Sequence, residues 1–219
     1  MTKALKSGLR SGLLLAIIAV GGVTLLAAIK LLTEERIAEQ ERLAALQQLE
    51  QVLPGGRYDN DLLSDRVSIP EKAARNEEAL LVYRARRDGE PVAAVLRIVA
   101  PDGYNGDIVL LVGIYTDGSI SGVRVLSHRE TPGLGDPIEI RRSDWIRSFT
   151  GRSLGDPPAE RWAVKRDGGD FDQFTGATIT PRAVTGAVRR ALEYYQGYRD
   201  QLFVAPSGAM LEAIDDQGR

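Results

Sequence analysis

Residues 11–29 carry no charge and are rich in Leu, Ile, Val and Ala, a run that commits this part of the chain to an apolar helix in a bilayer. As a helix it spans roughly 28 Å, close to the thickness of a membrane's hydrocarbon core. Lys3, Lys6 and Arg10 precede it, Lys30 can snorkel at its far end, and the acidic pair Glu34 and Glu35 follows. The preference of Lys and Arg for the cytoplasmic side then leaves the N-terminus in the cytoplasm and the rest of the chain outside, which in a bacterium is the periplasmic face of the inner membrane. A cleaved signal peptide is the competing reading, but the run is longer than a usual signal core and no convincing small-residue cleavage site follows.

Beyond the membrane, 33–53 is rich in helix formers, with Ile37, Leu43, Leu46, Leu49 and Leu53 spaced mostly three or four apart. This apolar stripe can pack on a neighbouring protein of a complex or on the chain's own domain. Pro54-Gly55-Gly56 ends the helix. The period then changes. Segments 80–86 and 92–100 flank Asp88-Gly89, and 108–115 and 120–127 flank Asp117-Gly118, which reads as two hairpins. A further short strand is expected near 161–165, and helices near 143–149 and 181–199. The fold class is α+β: a single N-terminal transmembrane helix followed by a twisted antiparallel sheet with flanking helices. The boundaries are a cytoplasmic N-terminus at 1–10, an anchor at 11–32, a connecting helix and linker at 33–56, a folded periplasmic domain at 57–204 and a loosely held tail at 205–219.

At 219 residues and 43% hydrophobic, the chain suffices for one membrane segment and one ordinary domain. A net charge of −2, with Lys and Arg scattered, gives no electrostatic footprint for nucleic acid. Cysteine is absent, which excludes disulfides, thiolate catalysis and Cys-ligated zinc or iron–sulfur centres within this chain. The single histidine, His128, excludes a multi-histidine metal site. No Gly-x-Gly-x-x-Gly follows a strand and no phosphate-cradling Walker sequence occurs, so nothing suggests a nucleotide site of either kind.

The segment Asp172-Gln173-Phe174-Thr175-Gly176-Ala177-Thr178 places a hydroxyl on a short turn ahead of a well-signalled helix. Thr180 is suited to the N-cap, Pro181 to the first helical position, and Val184, Val188, Leu192 and Tyr195 keep helical spacing. The free N–H groups and positive dipole end of that helix favour a phosphate near Thr178, and Gly176 removes a side chain from its approach. Taken alone, Thr-Gly-Ala-Thr also reads as an ordinary turn before a capped helix.

About 45 residues upstream of it lies Ser127-His128-Arg129-Glu130-Thr131-Pro132-Gly133-Leu134-Gly135. These segments, with the anchor helix, Leu53-Pro54, Tyr58-Asp59-Asn60-Asp61-Leu62, the Gly103-Tyr104-Asn105-Gly106 turn, and Trp145 followed by Phe149, resemble the RnfG family, the flavin-bearing G component of the Rnf electron transport complex, over most of the chain. The C component of the sodium-translocating NADH:quinone reductase shares the flavin domain and is the near relative, though usually longer. The resemblance implies FMN joined through its phosphate to Thr178 as a phosphoester, with 57–204 as the FMN-binding domain. A threonine hydroxyl is a weak nucleophile without an adjacent base, and Ala177 and Ile179 offer none. In the family a separate flavin transferase takes FMN from FAD and supplies the catalysis, so Thr178 is a modification acceptor and the chain itself holds no catalytic residue. Thr175 stands where the family usually has serine, and Phe174 where a small residue is common.

By the same resemblance Thr175, Gly176 and Ala177 form the attachment turn, and Glu130, Thr131 and Leu134 line the isoalloxazine site. Asp172 matches the acidic position opening the motif, or is a solvated loop carboxylate. His128 reads as a hydrogen-bonded structural residue or a proton donor to the flavin, Trp145 as a core anchor or a ring partner, and Lys165 as a solvated charge or a partner of the reduced ring. The implied function is an electron relay alongside the other membrane subunits of an Rnf-type ferredoxin:NAD oxidoreductase, coupled to ion movement. A membrane-tethered assembly domain without flavin, and a stand-alone periplasmic flavoprotein reductase, are the alternatives from other classes.

Overall fold

The structure, a computed structural model, describes residues 3–70 and 79–212. Helix α1 (Lys3–Glu50) continues unbroken from the anchor into the connecting segment. The cause is local: no Gly or Pro interrupts the sequence between Val23 and Glu50, and Pro54 with its following glycines stops it. Contacts divide the chain into two compact units, Met1–Ala45 and Leu46–Arg219. In the first, α1 is long and apolar enough to cross a membrane, and the large apolar side chains described between Leu13 and Leu32 are exposed. Thr24 and Thr33 each donate their hydroxyl to a carbonyl four residues back, so these polar groups are satisfied without water.

In the second unit, β1 (Arg66–Ile69), β2 (Leu80–Arg87), β3 (Glu90–Gly103), β4 (Gly106–Tyr115) and β5 (Ile120–Ser127) form an antiparallel meander in chain order. Both expected hairpins are present. Asp88 and Gly89, with φ of 52° and 83°, make the two-residue turn whose twist matches its strands. The Gly103-Tyr104-Asn105-Gly106 turn joins the hairpins, because Gly103 pairs with Gly106 and a Cβ on Gly103 would lie 2.2 Å from the Gly106 carbonyl oxygen. Strand β1 was not expected; its four residues carry only Val67 and Ile69 as an alternating signal.

Alternation sorts the strands into two apolar faces. Ala94, Leu96 and Ile98 of β3, with Leu110 and Val112 of β4, face α2 (Ile179–Leu202), which supplies Val184, Val188, Leu192 and Tyr195. Ala93 and Val95 face the other way, onto Leu49, Val52, Leu53 and Leu62. The stripe expected on 33–53 therefore divides: Leu49 and Leu53 are buried on the chain's own sheet, whereas Ile37 and Leu43 are exposed. Val52 lies directly on the paired Gly113 and Gly122, where added Cβ atoms would stand 2.9 and 3.1 Å from its carbonyl oxygen, and Ser121 donates its hydroxyl to that oxygen at 2.6 Å.

Three sequence expectations are corrected. The strand near 161–165 is instead a pair of 3-10 turns, Ala159–Arg161 and Lys165–Asp167, with one bridge from Val164 to Phe171. Trp162 and Val164 alternate as in a strand, but their burial serves an aromatic cluster in which Phe171 stacks 4.6 Å from Phe149. The helix near 143–149 is a single 3-10 turn, Trp145–Phe149, ended by Thr150 in extended geometry. The tail is held at least to Leu211: Gly208, Ala209 and Leu211 exchange backbone hydrogen bonds with Arg66 and Ser68, covering the β1 edge. The remainder of the 205–219 tail, from 213 on, lies outside the described residues.

At the C-terminal end of α2, two arginines from β2 donate to carbonyls at and just beyond the helix end. Arg84 donates to the Leu202 and Ala205 carbonyls at 2.9 and 2.6 Å, and Arg86 to Phe203 at 2.7 Å. Asp65 pairs with both guanidinium groups.

Candidate functional site

The N-terminal end of α2 opens on a cleft of about 440 Å³, built from the Tyr104 turn, the loop after β5, Arg166 and the segment from Gly176 to Thr180. This volume falls within the range of small-molecule sites. Helix α2 begins earlier than expected. Thr178, not Thr180, is the N-cap, and its carbonyl accepts the Arg182 N–H at 3.3 Å. Pro181 consequently occupies the third helical position, still within the turn whose N–H groups need no intrahelical partner.

The reason lies in Thr180. Its side chain is buried and donates its hydroxyl to Oε2 of Glu130, also buried. The other Glu130 oxygen accepts the Asn105 N–H at 3.0 Å. One carboxylate thus ties the β3–β4 turn, the loop after β5 and the start of α2 together. Gly135 is required beside it, since a Cβ there would stand 2.9 Å from both Glu130 and Thr180 side-chain atoms. The loop from Thr131 to Gly135 turns on bonds from the Leu134 and Gly135 N–H groups to the Thr131 carbonyl, and the Thr131 hydroxyl accepts from Asn105 Nδ2 at 3.2 Å. Glu130→Ala would orphan the buried Thr180 hydroxyl and take its partner from the Asn105 N–H. We expect a loss of about 2 kcal/mol in denaturant unfolding, with Glu130→Gln losing less because its amide can still accept one of the two bonds.

The cleft mixes apolar surface with one cation. Outside α1, the large apolar side chains left exposed among the described residues are Tyr104, Leu134, Ile179, Val204 and Met210, and the first three all line this cleft. Gly176 holds a φ of 81°, and an added Cβ there would meet only Leu134, at 3.8 Å, so the turn beside Thr178 is open as well as left-handed. Arg166 Nη1 lies 3.5 Å from Thr178 Oγ1. Nearby, Arg182 makes two bonds to the Asp167 carboxylate, at 2.6 and 2.8 Å. That contact holds Asp167 below the usual carboxylate range and raises the Arg182 guanidinium above its own.

The structure gathers some of the expected residues and separates others. Glu130, Thr131, Leu134, Gly176, Ala177 and Thr178 share the cleft. Thr175 belongs to the same turn but is exposed and outside the lining. His128 faces away: its Nδ1 accepts the Glu130 N–H at 3.1 Å, which leaves the proton on Nε2 to donate to Glu139 at 2.9 Å. This bond is the main cause that lowers the Glu139 carboxyl from its ordinary value, and it makes His128 a brace for the strand end. Trp145 donates its indole N–H to the Asp172 carbonyl at 2.8 Å and sets its ring edge-on to Phe149 and Phe174, so it supports the segment from Asp172 to Phe174. Lys165 and Asp172 pair with each other at 2.6 Å in solvent, outside the cleft. Sequence reasoning missed Arg166, adjacent to Lys165, and Tyr104; only the fold of the 3-10 turn decides which of two consecutive cations reaches Thr178.

Known proteins align with most of this chain. Residues 103–193 match the family described as FMN-binding domain, a span that contains every cleft residue from Tyr104 to Thr180. Residues 1–52 match the RnfG N-terminal region. The chain is 47% identical over 197 residues to the G component of the ion-translocating oxidoreductase complex of Vibrio atlanticus, covering 90% of this chain and 94% of that one. It is 48% identical over 205 residues to the corresponding protein of Pseudomonas aeruginosa, covering 93% and 95%. Against that of Yersinia pestis it is 48% identical over 203 residues, covering 93% and 97%.

Proposed function

This chain belongs to the RnfG family, the G components of ion-translocating oxidoreductase complexes, and from that premise we propose that it holds FMN as a phosphoester on Thr178 and relays electrons on the periplasmic face of the inner membrane. It is a membrane-anchored flavoprotein of an Rnf-type complex, with an electron-transfer role. The sodium-translocating quinone reductase alternative is not favoured, because the N-terminal region matches RnfG. The observation that carries the attachment reading is the position of Thr178 itself: a half-buried residue capping α2, in a cleft with one guanidinium and three exposed apolar side chains.

The cleft residues fit FMN by their chemistry. The N-terminal end of α2, with the Ile179 and Thr180 N–H groups in its first turn, suits a phosphate, the left-handed Gly176 turn leaves its approach open, and Leu134, Tyr104 and Ile179 offer apolar surface to a flat ring. Bound there, FMN supplies the redox chemistry that no side chain of this chain can. The protein's part is to hold and orient it. Thr178 fixes the phosphate end, Leu134 with Tyr104 and Ile179 excludes water from the ring, and Glu130 keeps the three cleft segments in register.

The family resemblance implies a maturation partner, a flavin transferase that supplies the base, and the lining is consistent with that reading. The side-chain partner of Thr178 Oγ1 is Arg166, which carries donors only and cannot take the hydroxyl proton. The experiment is expression of the full chain with an active transferase, followed by intact mass and peptide mapping. The expected result is a gain of one FMN less water on the peptide containing Thr178. No gain, while a control protein is modified, would favour an assembly domain instead. Sidedness is tested separately. The sequence has no cysteine, and Ser148 is exposed in the Trp145–Phe149 turn, outside the cleft lining. A Ser148→Cys protein is expected to react with a membrane-impermeant maleimide in cells whose outer membrane alone is permeabilised; labelling only after lysis would reverse the topology.

A further inference from the structure

Four cations cluster between Arg161 and Arg182, and three of them are neutralised. Arg161 pairs with Asp170, Lys165 with Asp172 at 2.6 Å, and Arg182 with Asp167 at 2.6 Å. The fourth, Arg166, has no carboxylate within ion-pair distance among the described residues. Its guanidinium instead lies 3.5 Å from Thr178 Oγ1, on the cleft. The backbone holds it there. The turn Lys165–Asp167 closes on the left-handed Gly168, and the Arg166 N–H donates to Gln173 Oε1 at 3.3 Å, tying this turn to the attachment segment.

We propose that Arg166 is the positioning residue of the attachment site, its guanidinium serving as counter-ion to the phosphodiester formed on Thr178. This rests on the attachment reading above. In that reaction the Thr178 oxygen forms a bond to the flavin-side phosphorus of FAD, the bond between the two phosphoryl groups breaks, and AMP leaves with the electron pair. The hydroxyl proton passes to the transferase, and no electron is transferred. The product keeps one negative charge on its non-bridging oxygens, next to a helix N-terminus that alone supplies only partial positive charge. A guanidinium already within reach of Oγ1 needs no reorganisation to meet that charge, and its planar donor fork matches phosphoryl oxygens. Lys165, one residue away, cannot substitute while it is paired with Asp172 in solvent.

The test follows the rate of mass gain on the full-length protein with the transferase, in wild type, Arg166→Gln, Arg166→Lys and Lys165→Gln. Thermal melting before modification serves as the folding control. Loss of the charge in Arg166→Gln is expected to slow incorporation about ten- to a hundredfold, with higher flavin mobility, by fluorescence anisotropy, in whatever product forms. Arg166→Lys is expected to recover a large part of the rate, and Lys165→Gln to match wild type. Wild-type rate and anisotropy in Arg166→Gln would overturn the role of Arg166 while leaving attachment at Thr178 standing, as would an Arg166→Lys protein no faster than Arg166→Gln. A wild-type chain that gains no flavin beside a modified control would overturn both.

Discussion

Replacing Thr178 by valine is expected to abolish the covalent flavin while leaving the domain folded. Valine keeps the branched shape at Cβ and removes only the oxygen. Thr178 makes no side-chain capping bond to α2, so the usual cost of deleting an N-cap hydroxyl, about 1 kcal/mol, does not arise in full. What the oxygen does accept is the long bond from Arg166, at the cleft surface. The protein made with active transferase should therefore show the apo mass and melt near the wild-type temperature. Thr178→Ser should still be modified, because its hydroxyl occupies the same place. The neighbouring hydroxyl sharpens the test: Thr175 lies on the same turn but outside the cleft lining. A full mass gain relocated to Thr175 in the valine protein would show that the transferase reads the segment and not the geometry, and would sink the assignment.

The largest effect on stability should come from Arg84, far from the cleft. Its side chain is 3% exposed and donates to Asp65 and to the Leu202 and Ala205 carbonyls. Arg84→Ala removes the partner of two carbonyl groups at the end of α2 and leaves the Asp65 carboxylate with Arg86 and a long bond from Asn60. Removing the buried guanidinium from a part-buried carboxylate and two carbonyl groups in this way costs about 3 kcal/mol, which for a domain of this size lowers the melting temperature by on the order of 10 °C. Arg189→Ala is the matched control. Its partner, Glu193, sits one turn away on the exposed face of α2, and such pairs contribute less than about 1 kcal/mol. Equal melting temperatures for the two variants in the detergent-solubilised full chain would contradict the claim that β2 caps α2.

The two ends of α2 show how differently sequence and tertiary structure contribute. The body of the helix is legible, because Val184, Val188, Leu192 and Tyr195 repeat with helical period and face the sheet. Its start is not. Thr180 followed by Pro181 is a sound local cap signal, but Glu130, fifty residues upstream, takes the Thr180 hydroxyl and moves the cap to Thr178. Its C-terminal end depends on Arg84 and Arg86, whose role depends on strand pairing that brings them to 202–205. Strands β2 to β5 announce themselves by alternation and by Asp-Gly turns, whereas β1 is too short to do so and gains its place by pairing with β2 and the tail.

The sequence by itself determined the membrane anchor, the antiparallel hairpins, the α2 face, the family resemblance and the hydroxyl at Thr178, because each rests on a local run, a period or a contiguous motif. Only the tertiary structure decided that Leu49, Val52 and Leu53 bury on the sheet, that His128, Trp145 and Lys165 brace or flank the cleft without entering it, and that Arg166 and Tyr104 reach it. Those outcomes depend on which side chains converge from distant segments. Two adjacent cations such as Lys165 and Arg166 are equivalent in sequence until a 3-10 turn sends one to Asp172 and the other to Thr178.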